Sequence, residues 1–174
     1  MENPVLNKLR AGGCVGAMWT TLGAPVIAEL MVQDGADAIV FDLQHGLWTR
    51  PLLESAIGMV RDKAVPMVRT QDDSYFAIGS ALDAGALGII VPVVESAEQA
   101  RKIVEAAKYP PQGKRSSGGI RSVIDAKAMV PKTNDLIFVA AMIETTVGVE
   151  NAAEIANVPG IDTVSYTHLR AHET

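Results

Sequence analysis

Short apolar runs alternate along the chain with longer segments that place apolar residues three and four positions apart. The apolar runs have the length and branched side chains of buried parallel strands, and the longer segments have the spacing of amphipathic helices. This alternation predicts a parallel sheet with helices packed outside it. The predicted strands are residues 14–20, 38–41, 65–68, 88–91, 136–143 and 160–164. The predicted helices are residues 3–10, 24–33, 50–61, 75–84, 96–107 and 149–156.

The repeating strand-helix unit is about 25–30 residues long, which is close to one step of a βαβ fold. About six units fit into residues 1–164, whereas a complete (β/α)8 TIM barrel needs about 250 residues. The predicted fold class is therefore α/β, as an incomplete (β/α)8 TIM barrel. A doubly wound open sheet is the alternative, although no GxGxxG motif follows the first strand.

The last ten residues, 165–174 (SYTHLRAHET), break this pattern. Polar residues without a clear period stand where a sixth strand should stay apolar and then turn into a loop. We interpret residues 1–164 as a partial barrel domain and residues 165–174 as a non-native tail. An ordinary solvated carboxyl terminus is the alternative interpretation.

The composition argues against several classes of function. With 48% apolar residues the chain can bury a core, and a net charge of −5 gives no electrostatic basis for nucleic-acid binding. The single cysteine, Cys14, cannot form an internal disulfide, which favours a reducing compartment. No stretch approaches the roughly 20 apolar residues of a membrane helix, and the amino terminus lacks a signal-peptide pattern. We therefore expect a cytoplasmic protein that binds neither nucleic acid nor membranes.

Polar residues follow three of the predicted strands at the point where each strand ends. Asp42 and His45 follow the second strand, Arg69 ends the third, and Glu144 ends the fifth. The carboxyl ends of barrel strands converge on one pocket, so these residues are expected to meet. A histidine near a carboxylate can transfer protons, an arginine can bind a substrate carboxylate, and a glutamate can bind Mg²⁺. The pattern predicts chemistry on a small metabolite that carries a carboxylate.

Each candidate residue also has a purely structural interpretation. Asp42 can cap its loop, Arg69 can form a surface ion pair, and Glu144 can cap the next helix. Asp83 lies just before a glycine that indicates a helix end, which favours a structural role. Trp19, at the end of the first strand, fits either a substrate-binding pocket or the core. The structural interpretations weaken when several such groups fall on the same rim.

Several stretches of the chain resemble the HpcH/HpaI aldolase family, which consists of metal-dependent pyruvate aldolases. These stretches follow the family's order over nearly the whole chain up to residue 164. Together they indicate the family far more specifically than any single stretch does. They are FDLQHG at 41–46, PMVR at 66–69, LDAGALGIIVPVVESAEQAR at 82–101, KYPPQGKRSSGG at 108–119 and MIET at 142–145.

The resemblance implies a reversible aldol reaction between pyruvate and an aldehyde, which are then the small-molecule partners. It implies a divalent metal, Mg²⁺ or Mn²⁺ with Co²⁺ as a further option, that binds the carboxylate and keto oxygen of pyruvate. It also implies a complete (β/α)8 barrel that assembles into homotrimers or hexamers. These are expectations for the full-length protein.

The resemblance also assigns a role to each matching residue. His45 matches the family's catalytic histidine, and Asp42 and Asp83 match acidic residues that support it. Arg69 matches the arginine that contacts pyruvate, and Glu144 matches the first of two metal-binding carboxylates. Trp19 remains an additional candidate for contact with the substrate.

Two departures from the family pattern bear on activity. Gln44 stands where many members carry a glutamate, which we interpret as variation between subgroups. The GPxD loop that supplies the second metal carboxylate is missing, and the corresponding position is Arg170. Because a cation cannot bind Mg²⁺, we expect this chain to bind metal poorly. Two alternatives stay open: a citrate-lyase-β-like barrel lyase that acts on acyl-CoA, and an inactive truncated chain.

Overall fold

The computed structural model describes residues 2–118 and 130–166. Within these ranges the chain forms one curled sheet of six parallel strands, in which each strand pairs with the next one along the chain. This sequential order belongs to a barrel and not to a doubly wound sheet, so the predicted incomplete (β/α)8 barrel is confirmed. The strands are β1 (Ala17–Thr20), β2 (Ala38–Asp42), β3 (Val65–Arg69), β4 (Gly88–Val91), β5 (Phe138–Ile143) and β6 (Thr163–Tyr166).

Apart from the first helix, which precedes β1, helices connect consecutive strands and cover the outer face of the sheet, as the alternation predicts. The described helices are α1 (Pro4–Arg10), α2 (Pro25–Gln33), α3 (Arg50–Val60), α4 (Tyr75–Asp83), α5 (Ala97–Ala107), α6 (Val130–Thr133), α7 (Thr146–Glu150) and α8 (Ala152–Ala156). A short 3-10 helix, Asn134–Leu136, follows α6. The sequence did not predict α6 or the 3-10 helix.

Successive side chains of each strand point to opposite faces of the sheet. In β2, Ile39 and Phe41 pack outward in the core between sheet and helices. Val40 packs inward in a second, smaller core, together with Met67 of β3. The same alternation directs Asp42, two residues after Val40, to the inner side at the carboxyl end of its strand.

Helix α1 packs at the amino end of the inner core. Val5 and Leu6 are buried there among the inward-facing strand residues. The Asn3 side chain donates hydrogen bonds to the carbonyls of Leu87 at 3.1 Å and Leu136 at 2.7 Å. It also caps α1 by accepting from the amides of Val5 and Leu6. The inner core is thus covered at the amino end, which leaves the carboxyl ends of the strands for a site.

Strand β1 begins at Ala17, three residues later than predicted. The backbone amide of Gly16 donates to the side chain of Asp37 at 2.8 Å. The Gly16 carbonyl accepts from the backbone amides of Asp37 at 2.9 Å and Ala38 at 3.2 Å, so this side-chain contact adds to the backbone bonds that lead into β1.

The helix predicted over residues 149–156 is two short helices, α7 and α8, which meet at Asn151. The side chain of Asn151 donates to the carbonyl of Glu95 at 2.8 Å. Asparagine favours helix ends over helix interiors, and this long-range contact fixes the break.

Two sequence predictions lie partly outside the described residues. Ser165 and Tyr166 belong to β6, and the rest of the predicted tail is not described, so the division at residue 164 stays a prediction. The predicted loop over residues 109–122 is described only up to residue 118. None of the helices in the described ranges is long and apolar enough to cross a membrane.

Candidate active site at the carboxyl end of the sheet

Asp42 and Arg69 form a buried ion pair at the carboxyl ends of β2 and β3. They are direct partners in the ladder register, so their side chains leave the strands side by side on the inner face. Nε of Arg69 donates to Oδ1 of Asp42 at 2.9 Å, and Nη2 donates to Oδ2 in a second, short bond. The side chains are only 13% and 1% exposed for Arg69 and Asp42. This bidentate contact fixes the guanidinium in one orientation.

Asp42 also shapes the loop that carries His45. The backbone amides of Gln44 and His45 donate to Oδ1 of Asp42 at 3.0 and 3.1 Å. This is an Asx-type turn, in which an aspartate side chain replaces a backbone acceptor. Asp42 therefore contacts His45 through the backbone amide of His45 and not through its imidazole.

Gly46 allows the same loop to close tightly. A Cβ atom on Gly46 would lie 2.1 Å from the carbonyl oxygen of Asp42 and 3.0 Å from that of Thr21. The next amide, of Leu47, donates to the Thr21 carbonyl at 2.7 Å, which ties this loop to the end of β1. The His45 side chain, just before this closure, is exposed at the carboxyl edge.

The electrostatics of Asp42 favour the carboxylate form. Burial by itself raises the pKa of Asp42, because a charge is poorly solvated in the interior. The hydrogen bond from Arg69, the His45 amide, the charge of Arg69 and the Trp19 indole together outweigh burial and hold this pKa below its usual range. Asp42 is therefore an anion near neutral pH, suited to orient Arg69 rather than to carry protons.

Trp19 lies at this cluster. Its indole Nε1 donates to Oδ2 of Asp42 at 3.4 Å, and the guanidinium carbon of Arg69 lies 5.1 Å from the centroid of the Trp19 ring. The residue is 39% exposed, so its ring forms part of the accessible surface beside the Asp42–Arg69 pair. A cation over an indole face is an attractive arrangement. Contact between Trp19 and a substrate stays a prediction.

Glu144 directly follows β5, at the same carboxyl end of the sheet. It follows Met142 by two residues, on the same inward-facing side of the strand, and its Oε2 accepts from the backbone amide of Val93 at 3.1 Å. Nη1 of Arg69 lies 4.0 Å from the sulfur of Met142, so the guanidinium extends from β3 towards β5. The structure thus brings residues of β1, β2, β3 and β5 to one end of the sheet, as the strand-end pattern predicts.

Glu144 offers the hard oxygen donor that Mg²⁺ prefers, but it is one ligand of about six. Among the residues that the structure describes, no group of three or more His, Cys, Asp or Glu could hold a metal. The position expected to supply the second carboxylate, Arg170, lies outside those residues. Within the described residues Glu144 is therefore a single candidate ligand, and its role in metal binding stays a prediction.

Comparison with known proteins identifies the family. The profile described as HpcH/HpaI aldolase/citrate lyase matches residues 16–168. The chain belongs to the HpcH/HpaI aldolase/citrate lyase family. A 4-hydroxy-2-oxovalerate aldolase of Novosphingobium aromaticivorans is 37% identical over 171 residues, which cover 93% of this chain and 64% of that protein. A 2-keto-3-deoxy-L-rhamnonate aldolase of Escherichia coli strain K12 is 31% identical, with 94% and 63% covered.

The solved structures agree with this assignment. The HpcH/HpaI aldolase from Desulfitobacterium hafniense DCB-2 superposes with a TM-score of 0.85 at 30% identity, covering 92% of this chain and 64% of that one. The chain therefore spans less than two thirds of the length of each of these relatives.

Asp83, the remaining candidate from the HpcH/HpaI resemblance, lies away from this cluster. It is the last residue of α4, which runs from the carboxyl edge of the sheet back to the amino edge. Its Oδ1 accepts from Nη2 of Arg115 at 3.1 Å, and Arg115 stacks over the ring of Tyr109 at 4.6 Å. Within one chain the structure does not bring Asp83 to His45, so its supporting role stays a prediction.

The sequence did not predict that the connection between β4 and α5 contacts Glu144. Residues 96–99 (SAEQ) have the sequence of a capping box, and Ser96 Oγ does accept from the amide of Gln99 at 3.1 Å. The Gln99 side chain, however, accepts from the amide of Glu95 and not from that of Ser96. The pattern could have shown that Gln99 folds back on this loop, but nothing in it indicates that the loop reaches Glu144.

Proposed function

We propose that the complete protein is a class II aldolase that reversibly cleaves 4-hydroxy-2-oxo acids to pyruvate and an aldehyde. The observation that carries this proposal is the fixed Arg69–Asp42 pair beside the His45 loop, at the carboxyl end of a barrel sheet in an aldolase family. The names of the relatives support cleavage of 2-oxo acids, and this chain's substrate is our inference.

Arg69 is the proposed binding group for the pyruvate part of the substrate. Two of its nitrogens are held by Asp42, and Nη1 extends along the inner face towards Met142. A carboxylate or enolate oxygen placed there would receive a charge-assisted hydrogen bond from a donor that is already oriented. Because Asp42 stays ionised, it balances the charge of Arg69 without competing for the substrate's proton.

His45 is the proposed proton carrier. In the cleavage direction its imidazole takes the proton of the C4 hydroxyl, the C3–C4 bond breaks, and that electron pair becomes the enolate of pyruvate. The aldehyde leaves, and a proton added at C3 completes pyruvate. The exposed position of His45 allows this transfer directly or through one water.

We also propose that the reaction uses a divalent cation, Mg²⁺ or Mn²⁺ with Co²⁺ as a further option, and that Glu144 supplies one ligand. When bound, such an ion would stabilise the enolate oxygen. Mn²⁺ added to the isotope-labelled complete protein should selectively broaden the amide signals of residues 142–145, and Glu144→Gln should abolish this effect. Broadening that is spread evenly over the protein would count against a site at Glu144.

A barrel lyase that acts on acyl-CoA is the second candidate within the family. Such a substrate needs cations near the rim for its phosphates. In the described cluster the cation is Arg69, which has two nitrogens bound to Asp42 and directs Nη1 towards Met142, so it offers a hydrogen bond to a single small anion. This observation favours a small oxo acid over a CoA thioester.

The proposed activity can be tested on the chain extended by the coding sequence that follows it. With Mg²⁺ or Mn²⁺, pyruvate and a short aldehyde should give an aldol product, and His45→Ala should lower kcat by about 10²-fold or more. Leu47→Ala is the matched control, since Leu47 is 72% exposed in the same loop. Absence of product, or equal rates for both variants, would reject the assignment.

The resemblance further supports a homotrimeric or hexameric cytoplasmic enzyme, which we propose for the full-length protein. Light scattering on the extended chain measures its mass directly. A monomer with full activity would contradict the proposed assembly.

A further inference from the structure

Val93, in the connection between β4 and α5, has an unusual backbone conformation. Its φ is +54°, and no other non-glycine residue in the described ranges has a positive φ. A β-branched residue rarely adopts this left-handed conformation, because its side chain collides with the backbone. Such a conformation persists only where surrounding contacts impose it.

The conformation of Val93 decides what its amide contacts. The amide donates to Oε2 of Glu144 at 3.1 Å. The next amide, of Val94, donates to the carbonyl of Met142 at 3.0 Å, so Val94 is fixed on the end of β5. With Val94 held there, the φ angle of Val93 sets the direction of the Val93 N–H bond.

Gln99 supplies contacts on both sides of this turn. Its Nε2 donates to the carbonyl of Val93 at 3.0 Å, and its Oε1 accepts from the amide of Glu95 at 2.8 Å. The same Nε2 donates to Oδ2 of Asp73 at 2.9 Å, which fixes the orientation of the side-chain amide. One glutamine thus bridges the two ends of the tripeptide that begins at Val93.

We propose that Gln99 is a positioning residue that holds Val93 in its left-handed conformation and thereby keeps the Val93 amide on the Glu144 carboxylate. This inference rests on the proposed function, because the orientation of Glu144 matters only if its carboxylate works in the site. Gln99 itself lies on α5 and acts on Glu144 only through the backbone of Val93.

The chemistry of Gln99 gives a selective variant. Gln99→Glu keeps an acceptor for the Glu95 amide but removes both donated bonds and places a second carboxylate beside Asp73. Gln112→Glu is the matched control, because it makes the same change at an exposed loop position. Gln99→Met removes all these bonds without adding charge, and serves if the first variant does not fold.

The test is hydrogen exchange of the residue 93 amide, measured by nuclear magnetic resonance on the chain as it stands. Glu144→Ala defines the exchange rate without an acceptor. Gln99→Glu, or Gln99→Met, should raise the rate about ten-fold towards that limit, whereas Gln112→Glu should keep the wild-type rate. An unchanged rate in the Gln99 variants would overturn the proposal.

A rescue experiment separates positioning from a general loss of structure. Glycine adopts a positive φ without strain, so Val93→Gly should make the turn independent of Gln99. The Val93→Gly/Gln99→Glu double variant should therefore exchange within about three-fold of Val93→Gly alone. Fast exchange in the double variant would show that Gln99 does not act through the conformation of residue 93.

The exchange readout does not require catalysis. Absence of aldol activity would reject the proposed function and leave the exchange result standing. Unchanged exchange in an active enzyme would reject the positioning role alone.

Discussion

Asp42 receives hydrogen bonds from three directions: the loop after β2, the guanidinium of Arg69 and the indole of Trp19. Each partner donates, and both carboxylate oxygens accept. An asparagine at this position would present an NH₂ group where an acceptor is needed, opposite the donors of Arg69 or of the loop. The site is therefore sensitive to the charge of residue 42 and not only to its size.

We predict that Asp42→Asn lowers the free energy of unfolding by about 3 kcal/mol, because it leaves the buried charge of Arg69 without its partner. Urea unfolding measures this value. Glu98→Gln is the control, since the Glu98–Lys102 pair is 71% exposed on both sides and should contribute almost nothing. An equal decrease in the free energy of unfolding in both variants would show that the buried Asp42–Arg69 pair stabilises the protein no more than an exposed pair does.

The lowered pKa of Asp42 predicts how this stabilisation depends on pH. Burial raises the pKa, and the hydrogen bond and charge of Arg69 with the other donors lower it further than burial raises it. The folded state therefore binds the Asp42 proton more weakly than the unfolded state does. The stabilisation is fully present above the unfolded pKa of about 3.9, and it is lost as the pH falls through the lower folded value.

The corresponding measurement compares wild type with Asp42→Asn by urea unfolding from about pH 7 down to about pH 3. The difference between the two free energies should stay constant at neutral pH and shrink below about pH 4. A difference that grows on acidification would contradict the assigned direction of the pKa shift.

At the scale of elements, the loop between β2 and α3 depends on Gly46. A Cβ atom there would meet the Asp42 carbonyl at 2.1 Å, and a backbone carbonyl of β2 cannot move without breaking the strand. We predict that Gly46→Ala lowers the free energy of unfolding by about 1–3 kcal/mol or more and displaces His45. Chemical denaturation and the aldol assay on the extended chain measure the two effects.

Gly79 in α4 provides a control, because its replacement by alanine should change the stability in the opposite direction. A Cβ atom at this position has no neighbour within 4 Å, and the residue is in a helix interior. Gly79→Ala should raise the stability by about 0.5–1 kcal/mol, because alanine restricts the unfolded chain. Destabilisation by both alanines would mean that the contacts around Gly46 are not the cause.

The extent to which the fold is predictable differs between elements. Strand β2 and helix α3 are found within one residue of their predicted bounds, because branched apolar runs and helical spacing are local signals. The break at Asn151 was not predicted, because it depends on a contact with Glu95 that is distant in sequence. Local patterns report periodicity, and they do not report which distant group will accept a hydrogen bond.

In the candidate site, too, some features follow from the sequence pattern and others do not. Alternation along parallel strands correctly places Asp42, Arg69 and Glu144 at one end of the sheet, since their position follows from topology alone. Asp83 ends a helix, and the topology sends the end of a helix to the opposite edge. The positive φ of Val93 has no sequence signal, because the residue is one of those least suited to it.

At the scale of the whole molecule, the curled sheet has two outer strands. Within residues 2–118 and 130–166, β1 pairs only with β2 and β6 pairs only with β5. Trp19 on β1 is 39% exposed and Tyr166 on β6 is 48% exposed. In the HpcH/HpaI relatives, about a third of the protein lies outside the part that this chain matches. An open strand edge with apolar side chains is a template for pairing with another chain.

We predict that the 174-residue chain self-associates through these edges. Ala17→Lys should reduce the association, because Ala17 is an exposed residue of β1 and a lysine on an edge strand opposes pairing between chains. Val149→Lys is the control, since Val149 is 48% exposed on α7 and lies on neither edge. Sedimentation velocity over a range of concentrations should show a lower mean mass for Ala17→Lys than for wild type and Val149→Lys. A wild-type chain that stays monomeric and melts cooperatively at every concentration would show that the open edges are not adhesive.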